Sequence, residues 1–441
     1  DKPAPLKPEG PEAVYQQFLA NVLPYNLHTN HPRFWAWYMG SGTVMGALAD
    51  FLAASLNPNC GGINHVAPLV EQQVLDWIIE MIGFPEDSSG LLTSGASMAN
   101  FTALTVARNT HAGFDVRREG MLEAPGPLTV YASTEIHSCN QKAIETLGMG
   151  SAGLRHVPVK QDFTLDLEAL DRQVAADRDA GMVPLCVIAT AGTINTGAID
   201  DMNAIADFCA REKLWFHVDG AIGAVAVLAD NVREQLAGME RADSVALDLH
   251  KWMHIPFEAG CVIVRDASAH RDSFALVPEY LQKDPEGGGL ASGKVWFSDY
   301  GLQLTRQFRA LKVWMSLKEH GLERYGRMIA RNVEQAHYLA GLVKAEPELE
   351  LLAPPGLDIV CFRFYTNDLD TESANRLNKR LLIELQEGGL AAPSYTTLNG
   401  IYCLRAAISN HRSRFEDFDL MVAEIVRIGR RLSQQSFITT R

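Results

Sequence analysis

At 441 residues the chain is too long for one small core and has room for two or three packed units. Its 39 lysines and arginines face 53 aspartates and glutamates, and the net charge of −14 argues against nucleic acid or an anionic membrane as the main partner. With 47% hydrophobic and 21% charged residues and no apolar run of about 18 or more, it reads as an ordinary globular chain without a bilayer-spanning helix.

The opening Asp1-Lys2-Pro3-Ala4-Pro5 is neither a signal peptide nor an initiator methionine, so further N-terminal residues are expected before it. Pro3, Pro5 and Pro8 predict an extended arm. Helical spacing runs from Pro11 to about Leu23, and Asn30-His31-Pro32 breaks it. The aromatic-rich Arg33–Gly40 follows. Val70, Val74, Trp77, Ile78 and Met81 then fall on one face of a helix that Gly83 closes.

Short apolar runs next alternate with helical stretches. Strands are predicted at Leu128–Ala132, Leu185–Thr190, Leu214–Val218, Ser244–Leu247 and Cys261–Val264. Helices are predicted at Met98–Asn109, Asn140–Leu147, Leu167–Ala180 and Met202–Glu212. Continuous Val/Ile/Leu/Cys runs suit strands buried on both faces, so the expectation is an α/β unit on a mainly parallel sheet. A helix is predicted from Arg306 to about Glu319. Beyond about residue 340, Ile359–Phe364 and Tyr402–Ala407 read as strands, and Thr371–Glu387 and Phe415–Leu432 as helices, which makes a smaller α+β unit. Seven scattered cysteines (Cys60, Cys139, Cys186, Cys209, Cys261, Cys361 and Cys403) with no C-x-x-C pair predict a reduced, cytoplasmic setting.

Ligands of open α/β sheets bind at the carboxyl ends of the strands, so the residues following each strand are the first candidates. They are His137, Thr190, Asp219 (in His217-Val218-Asp219-Gly220-Ala221) and Lys251 (in Asp248-Leu249-His250-Lys251-Trp252). Ser94-Gly95-Ala96-Ser97 leads into a helix whose N-terminus could take a phosphate. Singly, each is a common cap, turn or surface residue. In this order on one sheet edge they fit pyridoxal 5'-phosphate (PLP): a lysine for its aldehyde, a carboxylate for its pyridine nitrogen, a flat imidazole for its ring.

Two other patterns are set aside. Gly288–Lys294 matches G-x-x-x-x-G-K, but Val295 stands where a P-loop needs Ser or Thr. His250 and His254 are four apart, but Pro256 follows closely and no His-Glu-x-x-His is present, so no metal is expected.

From about Pro32 to about Arg412 the chain resembles the group II PLP-dependent decarboxylases, which include aromatic-L-amino-acid, histidine and glutamate decarboxylases. The motifs that carry this are His217–Ala221, Asp248–Trp252, Ser94–Ser97, His137-Ser138, Ala189–Thr193 and Arg306–Trp314. The resemblance implies a type I (aspartate aminotransferase-like) fold and a homodimer with shared active sites. The chain would divide into an N-terminal arm and helix (1–44), a large cofactor domain (45–320) and a small α+β domain (321–441). Lys251 would hold the cofactor as a Schiff base, His137 would stack on the ring, and Asp219 would pair with the pyridine nitrogen. Ala221 would pack on the ring with Thr190 in support, and Ala96, Ser97 and His250 would bind the phosphate. Trp37 and Tyr38 fall on substrate-pocket positions that suit an aromatic side chain; the other reading of Trp35, Trp37 and Tyr38 is packing at a dimer interface. Phe297 falls where many members carry a proton-donating tyrosine, with Tyr300 as a substitute. The expected activity is decarboxylation of an L-amino acid to the amine, the alternative being oxidative aldehyde synthesis. A desulfurase, an aldolase or a non-catalytic relative stays open beside these.

Overall fold

The computed structural model describes residues 3–276, 289–293 and 295–439. Gly288 and Lys294, the ends of the P-loop-like segment, lie outside them. The strands are β1 (Phe34–Trp35), β2 (Ser89–Thr93), β3 (Leu128–Ser133), β4 (Leu154–Val157), β5 (Val183–Thr190), β6 (Trp215–Asp219), β7 (Ser244–Asp248), β8 (Gly260–Val264), β9 (Leu349–Leu351), β10 (Ile359–Phe364), β11 (Ala392–Leu398) and β12 (Ile401–Ala407). Seven of them form one sheet in the order β2-β8-β7-β6-β5-β3-β4. From β7 to β4 every pairing is parallel, while β8 runs antiparallel to both β7 and β2.

The five strands predicted from apolar runs are all in this sheet, and β3, β6, β7 and β8 are buried along their whole length. β2 and β4, at its edges, carried no such signal. Gly90 interrupts the apolar run of β2; a Cβ there would lie 2.7 Å from Ile263 Cδ1 and 2.8 Å from Leu75 Cδ2, so those side-chain ends would have to shift. β4 sets half-buried Arg155 and exposed His156 between buried Leu154 and Val157, a pattern too short to register.

Four helices start the chain: α1 (Pro11–Asn21), α2 (Val44–Leu56), α3 (Val66–Met81) and α4 (Ala96–His111). α2 was not predicted. Its apolar residues are largely exposed and lie on no single inward face. Helices at Ser138–Thr146, Leu167–Asp179 and Met202–Glu212 connect the parallel strands, the last two capped by the carboxylates of Asp166 and Asp201.

The second sheet has the order β1-β11-β12-β10-β9. β1 joins it in parallel through Phe34↔Ala392 and Trp35↔Pro393, although more than 350 residues of chain separate the partners. Trp35 packs at 4.7 Å on Phe418 and donates its indole N–H to Ser413 Oγ at 3.0 Å. Trp35, expected at a dimer interface, is instead packed inside its own chain. The helix at Leu322–Ala345, unmarked in the sequence, joins the two cores. Tyr325, Ile329 and Val333 enter the large-sheet core, and Ala336, Leu339, Ala340 and Val343 enter the other. No described helix is long and apolar enough to cross a membrane.

Candidate active site

The carboxyl ends of β5, β6 and β7 open on one cavity of about 460 Å³. Ala96, Ser97, His137, Thr190, Asp219, Ala221, His250 and Lys251 all line it, so the structure brings together every residue expected at the cofactor. The sheet register accounts for much of this: Thr190 lies opposite Asp219, and Asp219 opposite Ala246, so adjacent strands end on the same level.

Lys251 sits in the turn that follows β7. Its Nζ is 3.1 Å from Asp248 Oδ2, and Asp248 Oδ1 accepts the Ala96 N–H at 2.7 Å. One carboxylate thus pins the start of α4 to the lysine. Asp248 is part of the motif, but nothing in the sequence gave it this role. It also means that the Ala96 N–H, expected at the phosphate, already has an acceptor. Close backbone contact tightens the turn. A Cβ on Gly260 would fall 2.4 Å from Gly95 Cα, and one on Gly40 would fall 2.2 Å from the His250 carbonyl oxygen.

Two histidines have their tautomers fixed by backbone donors. His250 Nδ1 accepts from Ala259 N–H at 3.1 Å, and His137 Nδ1 accepts from Cys139 N–H at 3.2 Å as the cap of its helix. When neutral, each therefore carries its proton on Nε2. Burial pushes both pKa values down; Asp248 opposes this at His250, and Asp219 at His137. Each is a neutral ring with one N–H to donate.

Asp219 is held from below. Its Oδ2 accepts from Asn140 at 2.7 Å and from Asn100 at 3.0 Å, while Oδ1 receives only the Ala221 N–H at 3.3 Å. Thr190 donates its N–H to Asp200 Oδ2 at 2.8 Å; burial pushes the Asp200 carboxyl up to about 6. The Thr190 hydroxyl oxygen is buried without a partner. Neither asparagine was singled out from the sequence. A carboxamide in the mainly apolar stretch Ala99–Leu104, whose other polar residue is Thr102, is the signal that could have found Asn100.

These groups fit PLP. The orphaned Thr190 Oγ1, the spare capacity of Asp219 Oδ1, the Nε2–H of His137 and the Nε2–H of His250, 3.6 Å from Asp248 Oδ1, surround a cavity that has a primary amine at its rim.

The residues expected on the substrate side are not on this wall. Phe297 is a core residue, 2% exposed, with the Arg306 guanidinium 5.1 Å above its ring. Arg306 itself is buried, bonded to both oxygens of Glu71 at 2.6 and 3.0 Å, so the segment around Phe297 is tied inward. Tyr300 packs edge-on against His270 at 5.1 Å. Tyr38 is buried and donates to Asp358 Oδ2 at 2.7 Å; burial lifts that carboxyl to about 7. Trp37 is 55% exposed with φ +52°, and its carbonyl accepts from the buried Arg405 at 2.7 Å. Arg405 and Asp358 come from the C-terminal half and were missed, because only the fold brings them to the N-terminal segment.

Comparison with known proteins agrees with this geometry. The pyridoxal-dependent decarboxylase conserved domain matches residues 1–365. The chain is 34% identical over 416 residues to an aromatic-L-amino-acid decarboxylase of Bacillus atrophaeus, covering 94% of this chain and 84% of that protein. It is 30% identical over 417 residues to a phenylacetaldehyde synthase of Arabidopsis thaliana, covering 92% and 83%. Among solved structures, Oryza sativa TDC with PLP and tryptamine superposes with a TM-score of 0.90 at 27% identity, over 98% of this chain and 90% of that one. Mouse CSAD superposes at 0.88 and 26%, over 97% and 90%. The chain belongs to the pyridoxal-dependent decarboxylase family and is a PLP-dependent amino-acid decarboxylase with the type I fold.

Proposed function

We propose that the protein removes CO2 from an aromatic L-amino acid to give the amine, with Lys251, His137, Asp219 and Thr190 as its catalytic group. The observation that carries the site assignment is the convergence of these residues, with the phosphate candidates Ser97 and His250, on one cavity at the strand ends. The aromatic preference rests on relatives named for aromatic substrates, among them a tyrosine decarboxylase of Petroselinum crispum at 31% identity.

When bound, PLP supplies the electron sink that accepts the pair left by departing CO2. The chain's residues do the rest. Lys251 provides the primary amine, and Asp248 beside it holds the ammonium in place. Asp219 Oδ1 would accept from the pyridine nitrogen, Ala221 and His137 would border the ring, and Thr190 Oγ1 would gain a partner. His250 Nε2–H and Ser97 at the start of α4 bind the phosphate. His137 Nε2–H is a donor for the substrate carboxylate.

The substrate side is completed by a second copy of the chain. α1 buries no residue of its own, and Val44, Phe51 and Leu56 of α2 are 86%, 69% and 68% exposed. A two-fold partner would remove this apolar surface from water and add a wall to the cavity, with Trp37 at the junction. The N-terminal segment 1–44 would belong to that interface, 45–320 to the cofactor domain and 321–441 to the small domain. Seven free, buried cysteines support a cytoplasmic setting.

Aldehyde synthesis is the second reading, favoured by the phenylacetaldehyde synthase relatives. Assay of phenylalanine, tyrosine, tryptophan, glutamate and histidine under air decides between the two. Amine with stoichiometric CO2 and no peroxide supports the proposal; aldehyde, ammonia and peroxide replace it with the second reading, and turnover of glutamate alone overturns the aromatic preference.

A further inference from the structure

A line of buried polar side chains runs beneath the cofactor pocket, across the sheet from β7 to α4. The Trp215 indole N–H donates to Ser244 Oγ at 2.8 Å, and Ser244 Oγ lies 2.9 Å from His217 Nδ1. His217 Nε2 is 2.7 Å from Asn100 Oδ1, and the Asn100 amide reaches Asp219 Oδ2 at 3.0 Å. His217, Ser244, Asn100 and Asn140 are all fully buried.

The direction of each bond follows from the carboxylate end. Asp219 as a carboxylate can only accept, so Asn100 must turn its NH2 toward it and its carbonyl toward His217. His217 must then carry a proton on Nε2. Burial pushes its pKa down to about 4, so the ring is neutral, and its Nδ1 lies 2.9 Å from Ser244 Oγ and 3.2 Å from the Ser244 carbonyl oxygen. From His217 onward the donors thus point toward Asp219.

Asn140 closes the clamp from the other side at 2.7 Å, and it does so at a cost. Among the described residues its buried carbonyl oxygen has no partner. A leucine of similar volume would leave no such orphan, and a buried polar atom left unsatisfied ordinarily marks a demand other than stability. With both amides on Oδ2, the other oxygen keeps one long contact at 3.3 Å and the capacity for a further donor.

The structure assigns to Asn140, acting with the His217–Asn100 line, the role of positioning residue: it turns one oxygen of Asp219 toward the pyridine nitrogen of the cofactor and keeps it there. The assignment rests on the cofactor site proposed above. Removing one of the two amides frees the carboxylate to rotate, so the pyridine N–H loses its aligned acceptor while Lys251, His137 and the phosphate contacts stay in place.

The test uses full-length protein with PLP labelled with 15N at the ring nitrogen, in wild type, Asn140→Ala and Asn140→Leu. Three quantities are read: the 15N shift of the bound ring nitrogen, the PLP dissociation constant, and the melting temperature without cofactor. In both variants the shift is expected to move toward the unprotonated value and PLP to bind roughly tenfold more weakly. Asn140→Leu, which carries no orphaned carbonyl, is expected to melt at or above wild type. Loss of cofactor contact with retained or raised stability is a combination that a merely structural asparagine would not give. Unchanged shift and affinity in either folded variant overturn the assignment alone. Failure of wild type to bind PLP overturns the cofactor site and this inference with it.

Discussion

The two halves of the cavity differ in how complete they are. The proposed cofactor half is lined by one chain: Asp219, His137, His250 and Lys251 each meet a neighbouring group that orients the side chain, and Thr190 is held through its backbone N–H. The substrate half is open. Trp37 is exposed, Tyr38 is turned to Asp358, Phe297 is in the core, and the apolar sides of α1 and α2 face outward. On the proposed reading, the difference teaches that the cofactor chemistry is encoded within one protomer, whereas the choice of substrate would depend on a surface supplied by a second copy.

The sharpest break is at the cofactor half. Lys251→Ala removes the amine, and turnover is expected to fall by ~10³-fold or more with the fold retained. Borohydride treatment of wild-type holoenzyme should fix PLP on the peptide that contains Lys251; label on another lysine removes it from the role.

The next effect separates the halves. Phe51→Asp places a charge on the outward face of α2 without touching the protomer core. Sedimentation should show a shift from dimer to monomer, and kcat/KM should fall by roughly tenfold or more, while PLP still binds each chain. A fully active monomer would make the substrate half self-sufficient.

Phe297→Tyr tests whether that residue belongs to the substrate half at all. In the core beneath Arg306, an added hydroxyl without a partner should cost about 1–3 kcal/mol of stability, measured by urea unfolding. The ratio of amine to aldehyde should not change. A changed ratio with unchanged stability would return Phe297 to the chemistry.

The smallest effect concerns the clasp between the halves. Ser41 Oγ lies 3.2 Å from His254 Nδ1 and 3.0 Å from His411 Nδ1, tying the N-terminal segment to the lysine turn. Burial, with Arg412 next, pushes His411 down to about 4, whereas an unfolded histidine titrates near 6.5. The unfolded chain therefore takes up this proton first. The stability contributed by neutral His411 is complete above about pH 6.5 and is lost as pH falls toward 4. Wild type should lose more of its unfolding midpoint over that interval than His411→Gln, and equal losses would free the clasp from this titration.

The sequence by itself determined the central strands and the chemical residues at their ends. A strand buried on both faces must be a continuous apolar run, and a residue that ends such a strand has its position set by the sheet register. Lys251, Asp219 and Thr190 were legible for that reason, and the predicted helix at Thr371–Glu387 matches the observed one because its periodicity is long and Asp370 caps it. What only the tertiary structure decided are the residues whose role depends on a distant partner. Asn100 and Asn140 are ordinary helix residues until β6 brings Asp219 between them. Asp248 is a strand-end carboxylate until α4 arrives with its N–H. The pairing of β1 with β11, the buried Arg306–Glu71 pair and the inward turn of Phe297 likewise join segments far apart in the chain, and local spacing carries no record of such contacts.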